Sequence, residues 1–198
     1  MDVAFRTYGL PERIRSDNGT PFASTGLAGL SRLSAWWIRL GILSERIMPG
    51  KPQQNGRHER FHRTLKEETA SPPARTFTQQ QARFRAFQHE YNELRPHEAL
   101  GQVPPANVYQ PSSRPYPDRL PPIAYGDDME VRRVRGAGQM KWKGNDIRVS
   151  QALVGEPVGL LPIDDALWSV YYCAVAIGVF DERTMHVYAD QQAVPKRK

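Results

Sequence analysis

Cysteine and long apolar runs are both scarce in this sequence. Cys173 is the single cysteine among 198 residues, so the chain cannot form an intramolecular disulfide or a zinc site built from several thiolates. No stretch approaches the roughly 20 apolar residues of a transmembrane helix, and the first residues lack the apolar segment of a signal peptide. We therefore expect a cytoplasmic protein that makes no contact with a membrane.

Acidic residues are outnumbered. The chain has 27 Lys and Arg against 21 Asp and Glu, a net charge of +6. The excess belongs to residues 1–110, which hold 15 basic and 10 acidic side chains, whereas residues 111–198 hold 12 and 11. A basic balance is compatible with a polyanionic partner such as nucleic acid, and equally with mere solubility.

Composition divides the chain. The stretch from Pro104 to Pro122 is dense in proline, which favours extended backbone over a packed helix. We therefore predict a first domain over residues 1–110, a linker over 111–123, a small β domain over 124–190 and a basic tail over 191–198.

Hydrophobic spacing predicts alternating helices and strands in the first domain. This alternation indicates an α/β fold. The predicted helices cover Val3–Tyr8, Thr25–Leu40, Arg57–Thr69 and Thr78–Leu94, and the predicted strands cover Glu12–Ser16 and Ile42–Ile47.

Two carboxylates stand where metal-dependent chemistry needs them. Asp17 follows the first predicted strand, in the turn Asp17-Asn18-Gly19, and Glu59 lies in the first turn of a predicted helix. Phosphoryl transfer with two divalent cations needs carboxylates from different elements to converge on one point.

A helical wheel sorts the residues around Glu59 into two faces. Phe61 and Leu65 share one face, where they can bury the helix against a core. The other face could present Glu59 to a metal and its basic residues to phosphates, although an ordinary surface helix with a charged face has the same pattern. The polar face comprises Glu59, His62, Arg63 and Lys66.

Three runs of sequence resemble the catalytic core of bacterial insertion-sequence transposases, a group that shares the ribonuclease-H-like fold of retroviral integrases. They are YGLPERIRSDNGTPF, WWIRLGILSERIMPGKPQQNGRHERFHRTLKEE and YNELRPHEALGQVPPANVY. The resemblance covers about residues 5–112. In that family two Asp and one Glu bind two magnesium ions. Asp17 matches the second Asp and Glu59 matches the Glu.

The resemblance implies an enzyme that cuts and joins DNA with Mg²⁺ or Mn²⁺ and that acts as a homo-oligomer when complete. Lys66 matches a position that contacts DNA in relatives, and we expect Arg63 and Lys51 to contact DNA as well. The family's first Asp has no match, because only sixteen residues precede Asp17. We therefore expect a partial core that lacks its N-terminal strands and is inactive alone.

The same helix carries a competing motif. His58-Glu59-Arg60-Phe61-His62 is a literal HExxH, which is typical of zinc metalloproteases. No third ligand helix is evident, and His58 is predicted to point toward the Phe61 side, where it would pack or cap. A second alternative to the transposase is a DNA-binding module without catalytic activity.

The second half predicts short strands only. Alternation at Met140/Trp142, Ile147/Val149 and Trp168/Val170/Tyr172 favours a small barrel with these side chains inside. Lys141, Lys143 and Arg148 would then lie outside. The domain resembles the small barrel that follows the core in many integrases, so we expect these three cations either to contact DNA or to be merely solvated. The strands are predicted over Met129–Arg135, Gln139–Lys143, Asn145–Val149, Val158–Ile163, Leu167–Tyr172 and Val175–Phe180.

Overall fold

A computed structural model describes residues 1–48 and 56–195 of the chain. The chain forms two compact units, and each unit draws on two separate stretches of sequence. The first unit combines Met1–Gly9 with Ile47–Pro115, and the second combines Leu10–Arg46 with Tyr116–Lys198. No helix in the described ranges is both long and apolar enough to cross a membrane.

The first unit is helical. It consists of α1 (Asp2–Tyr8), α3 (Gly56–Thr69) and α4 (Phe77–His89), and a π-helical turn at Glu90–Leu94 continues α4. The three helices predicted in these stretches are confirmed. Thr76 begins α4 because its hydroxyl accepts a hydrogen bond from the Gln79 N–H, which satisfies one of the free amides of the first turn.

Gly9 ends α1 and fixes where the later chain passes. Its φ of +76° lies in the left-handed region, which a residue with a side chain rarely adopts. A Cβ at Gly9 would lie 2.6 Å from the carbonyl oxygen of Ser112. The Ser112 N–H donates to the Tyr8 carbonyl at 3.0 Å, so the close approach ties the two stretches of this unit together.

The second unit begins with a βαβ segment. Strand β1 (Arg13–Ser16) pairs in parallel with β2 (Leu43–Arg46), and α2 (Arg32–Arg39) connects them. Both strands were predicted. The helix predicted over Thr25–Leu40 was too long, because only its second half is α-helical.

Two local features shorten that helix. Ser31 and Ser34 form a capping box, in which each side chain bonds the other's backbone amide, and this geometry starts a helix at Arg32. Before it, Ala28 has a φ of +50° inside a single 3-10 turn at Leu27–Gly29. An α-helix cannot pass through that backbone conformation.

Seven strands follow in the same unit. Six of them were predicted, and the short last strand was not. They are β3 (Glu130–Arg133), β4 (Gln139–Trp142), β5 (Asn145–Arg148), β6 (Pro157–Asp164), β7 (Leu167–Tyr172), β8 (Val175–Asp181) and β9 (His186–Tyr188).

These strands form an antiparallel sheet in the order β3-β6-β7-β8-β9 and a separate hairpin of β4 and β5. The predicted alternation holds: Met140, Trp142 and Ile147 are buried, whereas the lysines and the arginine between them are exposed. The sheet and the hairpin share one hydrophobic core.

Helix α2 packs into that same core. Leu30 and Ala35 are buried among side chains of the sheet and the hairpin. At the other end of the helix, the Arg39 guanidinium donates to both carboxylate oxygens of Glu156, at 2.8 and 3.0 Å. The βαβ segment and the C-terminal strands therefore form one packed unit.

Glu182 joins the hairpin to the sheet. One of its carboxylate oxygens accepts the indole N–H of Trp142 at 2.9 Å and that of Trp168 at 3.0 Å, and the other accepts from Lys143 at 2.9 Å. Two indoles thereby share one acceptor, and their rings lie edge to face with centroids 4.9 Å apart.

Candidate active site

Asp17 follows β1 directly. Its carboxylate accepts the Gly19 N–H at 2.9 Å, which closes a tight turn of the kind that Asp favours. The residue is exposed. Parallel pairing of β1 with β2 holds the base of this turn, because Ser16 lies opposite Arg46 in the register.

The arginines nearest Asp17 are engaged elsewhere. Arg13 and Arg15 both donate to the Glu45 carboxylate, at 2.8 and 3.0 Å. Hydrogen bonds from Arg13 and then from Arg15 hold the pKa of Glu45 below its usual value. Within residues 1–48 and 56–195, Asp17 forms no ion pair, so its outer oxygen stays open to solvent and to a ligand.

Glu59 lies in the first turn of α3, and its side chain is exposed. The two faces predicted from the helical wheel are confirmed. His62, Arg63 and Lys66 are exposed beside Glu59, whereas Phe61 is half-buried. The described residues include no cation paired with Glu59.

Aromatic packing fixes the opposite face of α3. The Phe61 ring lies edge-on to Tyr91 with centroids 5.2 Å apart and is 6.2 Å from Phe87. Phe87 is buried and stacks on Tyr91 at 5.4 Å. The face that carries Glu59 is consequently oriented by the packing of α3 on α4.

Arg95 closes this helical pair. It donates two parallel hydrogen bonds to Glu68 at 2.9 Å and one to Glu90 at 3.0 Å. A bidentate pair of this kind is geometrically specific. The His97 ring lies 4.6 Å from the Tyr91 ring. The Arg95-Pro96-His97 motif therefore holds the end of α3 against the turn after α4.

The histidines of the HExxH motif lie side by side. The rings of His58 and His62 have centroids 4.2 Å apart, and both residues are exposed. The prediction that His58 points toward Phe61 was wrong, because its ring packs on His62 instead. Across the described ranges, no group of three or more His, Cys, Asp or Glu side chains comes together in a way that could hold a metal.

The predicted DNA-contacting residues differ in their surroundings. Lys141 is paired with Asp146 at 2.9 Å, and Lys143 with Glu182 at 2.9 Å. Arg148 is exposed, and the described chain offers it no ion-pair partner. Lys51 lies outside the described residues.

The two predicted metal ligands belong to different compact units, Asp17 to the second and Glu59 to the first. Each is exposed and next to a turn or helix start that was predicted from sequence. Arg32 is the first residue of α2. Its position at the start of a helix was not predicted, because the helix was expected to begin seven residues earlier, at Thr25. The capping pair Ser31 and Ser34 was the signal that could have placed it.

Two family models match the chain. Residues 40–105 match the integrase core domain. Residues 129–188 match the C-terminal domain of the IS481 family of transposases. The first match contains Glu59, and the second covers strands β3 to β9.

Curated relatives agree with these matches. An insertion element IS407 uncharacterized 31.7 kDa protein from Burkholderia multivorans is 32% identical over 107 residues, which is 54% of this chain and 36% of the relative. An insertion element IS476 uncharacterized 39.2 kDa protein from Xanthomonas euvesicatoria is 33% identical over 107 residues, again 54% of this chain and 29% of the relative. A Gag-Pol polyprotein of baboon endogenous virus is 39% identical over 67 residues, 34% of this chain and 4% of the polyprotein.

The chain thus spans about a third of the length of the insertion-element proteins that it matches. Among solved structures, a chain of the simian T-cell lymphotropic virus intasome in complex with PP2A regulatory subunit B56 gamma aligns with 87% of this chain and 59% of its own length. That alignment has 17% identity and a TM-score of 0.42. Residues 40–105 thus match an integrase core domain, residues 129–188 match a transposase C-terminal domain, and the insertion-element proteins are similar to this chain over 107 residues.

Proposed function

We propose that this chain is part of a transposase that cuts and joins DNA by metal-dependent phosphoryl transfer. The observation that carries the proposal is the order of the two matched domains, an integrase core followed by an IS481 transposase C-terminal domain. The exposed polar face of α3, with Glu59 beside Arg63 and Lys66, supports it because carboxylates and cations are the groups that this chemistry uses.

For the fold, we infer a partial ribonuclease-H-like core and a small C-terminal β-barrel. The parallel pair β1 and β2 with its connecting helix supports the first inference. The common core of the five-stranded sheet and the β4–β5 hairpin supports the second. The domain boundaries at residues 110, 123 and 190 stay predictions of the sequence.

For the metal, we infer that Asp17 and Glu59 are ligands of Mg²⁺ or Mn²⁺. Both offer exposed carboxylate oxygens without an ion pair in the described parts of the chain, and hard divalent cations prefer oxygen ligands. The carboxylates of Glu45 and Glu68, by contrast, are each paired with an arginine. When bound, the metal ions would activate water and then a DNA 3′-hydroxyl.

For the partner, we infer DNA. Arg63 and Lys66 project from the face of α3 whose other side is anchored, so they can meet phosphates without disturbing the packing. The DNA contact of Lys51 stays a prediction from the sequence. On the β-domain, Arg148 has no ion-pair partner among the described residues, whereas Lys141 and Lys143 each pair with a carboxylate.

A DNA-binding module without catalytic activity is the second candidate. It is favoured by the absence of a three-ligand cluster among the residues that the structure describes. In either case we propose a cytoplasmic protein, and a homo-oligomer for the complete enzyme.

Fluorescence anisotropy with labelled duplexes tests DNA binding. We expect affinity to fall steeply with salt, because each neutralised phosphate releases counterions. Arg63→Ala and Lys66→Ala should each weaken binding on unrelated sequences alike and reduce the salt slope by about 0.9 for each phosphate that is no longer neutralised. Lys141→Ala is the control and should change little. Binding that is indifferent to salt would rule out the phosphate contacts.

A further inference from the structure

The second unit contains a cleft of about 380 Å³ beside the start of α2. Two arginines line it, Arg32 from the first residue of α2 and Arg148 from the last residue of β5. Their neighbours in the wall include the hydroxyl-bearing Thr25 and the amide side chain of Gln151. Neither α2 nor the hairpin alone forms this cleft, because each supplies one of the two cations.

The lining of the cleft carries two positive charges and no negative charge. No carboxylate belongs to its lining, and neither Arg32 nor Arg148 forms an ion pair with any residue in 1–48 or 56–195. Several other cations of this unit are paired. Carboxylates of the unit neutralise Arg13, Arg15, Arg39, Lys141, Lys143 and Arg183.

Both arginines are held at their bases. The Ser31–Ser34 capping box fixes the backbone at Arg32. Arg148 lies between the buried Ile147 and Val149, which pins its strand to the core. The backbone at both positions is therefore held by local structure, while both arginine side chains are exposed.

The loop across the cleft is also braced. Arg46 donates to the Gly29 carbonyl at 2.6 Å, which holds the 3-10 turn. The Ser24 hydroxyl donates to the Leu30 carbonyl at 2.6 Å and accepts the Gly26 N–H at 3.1 Å. The wall is thus preformed, and its charged groups are donors.

We propose that this cleft binds a phosphate group of the DNA backbone, with Arg32 and Arg148 as its two ligands. The inference rests on the proposed DNA binding and adds to it a site that α2 and the hairpin build together. A guanidinium matches phosphate with parallel N–H donors, and two of them in a wall without carboxylates favour a phosphodiester over any cation or neutral ligand.

Anisotropy with a labelled duplex tests the site in the full 198-residue chain. Arg32→Gln with Arg148→Gln should weaken binding on unrelated sequences alike and lower the salt slope by about 0.9 if one phosphate is no longer neutralised. Arg119→Gln is the matched control, since Arg119 is exposed in the same unit and outside the cleft. Double-variant affinity and slope equal to those of the control would overturn the proposal.

A second titration separates the sources of phosphate. Inorganic phosphate or duplex DNA is added to ¹⁵N-labelled protein, and the amide signals of Thr25 and Gln151 are followed. We expect DNA to shift both signals in the wild type and not in the double variant. Shifts with inorganic phosphate alone would contradict a DNA site. If neither inorganic phosphate nor DNA shifts these signals in a protein that still binds DNA, the cleft is not a phosphate site, and the proposed function is unaffected. A wild type that binds no DNA would overturn both.

Discussion

At the scale of single residues, the Glu182 carboxylate joins three side chains of the β-domain. Its carboxylate accepts from Lys143 and from the indoles of Trp142 and Trp168. The Lys143 ammonium, ahead of the two indoles, holds the pKa of Glu182 below its ordinary value of 4.5 although desolvation acts in the opposite direction. The ionised form is therefore the one that the fold stabilises.

This arrangement predicts a pH-dependent loss of stability. Because the folded pKa is depressed, the stabilisation is complete above pH 4.5 and is lost as the pH falls through the folded pKa. Glu182→Gln should lower the free energy of unfolding by about 1.5–3 kcal/mol at pH 7, the range for hydrogen bonds to a charged group. The deficit should shrink below pH 4.5.

Urea unfolding at several pH values measures this difference. Asp146→Asn is the control, because Asp146 forms only an exposed pair with Lys141, and exposed pairs contribute little. A Glu182→Gln deficit that persists unchanged into acid would show that the carboxylate acts by shape and not by charge.

The paired histidines of α3 carry a second prediction at this scale. His58 and His62 lie close together, but the described residues supply no third ligand, and protein zinc sites need at least three. We expect elemental analysis of purified protein to find no stoichiometric zinc. One tightly bound zinc per chain, released by His62→Ala, would overturn the assignment of this helix to DNA chemistry.

At the scale of elements, α3 separates two roles on its two faces. Phe61→Ala removes half-buried contacts with Phe87 and Tyr91. It should cost about 2 kcal/mol, below the 3–5 kcal/mol of a fully buried Phe. Arg63→Ala should leave stability unchanged and weaken DNA binding.

Thermal unfolding and anisotropy on the same two variants check this division. Each variant serves as the control of the other, because one alters the packed face and the other the exposed face. Equal loss of stability in both would mean that α3 is not anchored by Phe61.

Most strands and helices could be predicted from the sequence, but strand β9 and the start of α2 could not. The strands of the β-domain could be predicted because apolar and polar residues alternate along them, as at Met140 and Trp142, and the apolar residues mark the buried face of the strand. Strand β9 was missed, since three residues carry too little periodicity. The start of α2 was misplaced because leucine spacing continued through Ala28, whose backbone conformation only the structure shows.

At the scale of the whole molecule, long-range packing lay beyond the sequence. Nothing in the spacing of α2 indicates that Ala35 would be buried with the C-terminal strands or that Arg39 would pair with Glu156. The faces of α3, by contrast, follow from helical periodicity alone, so the exposed side of the helix that carries Glu59 could be predicted. Asp17 and Glu59 were both found where strand and helix ends were expected.

The proposed function requires Asp17 and Glu59 to act in DNA strand transfer together with a further carboxylate. Two-metal chemistry needs both cations held at once, and Mg²⁺ demands near-ideal octahedral geometry. We therefore expect these 198 residues alone to be inactive. A polypeptide that adds an upstream strand carrying an Asp should be active.

Joining of labelled DNA ends with Mg²⁺ or Mn²⁺ measures this directly. We expect no product from the 198-residue chain. The longer polypeptide should give product, and Glu59→Gln or Asp17→Asn should abolish that product while DNA binding is kept. Metal-dependent joining by the shorter chain, abolished by Glu59→Gln, would show that another residue supplies the third ligand. Joining by the longer polypeptide that survives Glu59→Gln would show that the Glu59 carboxylate is not needed for strand transfer.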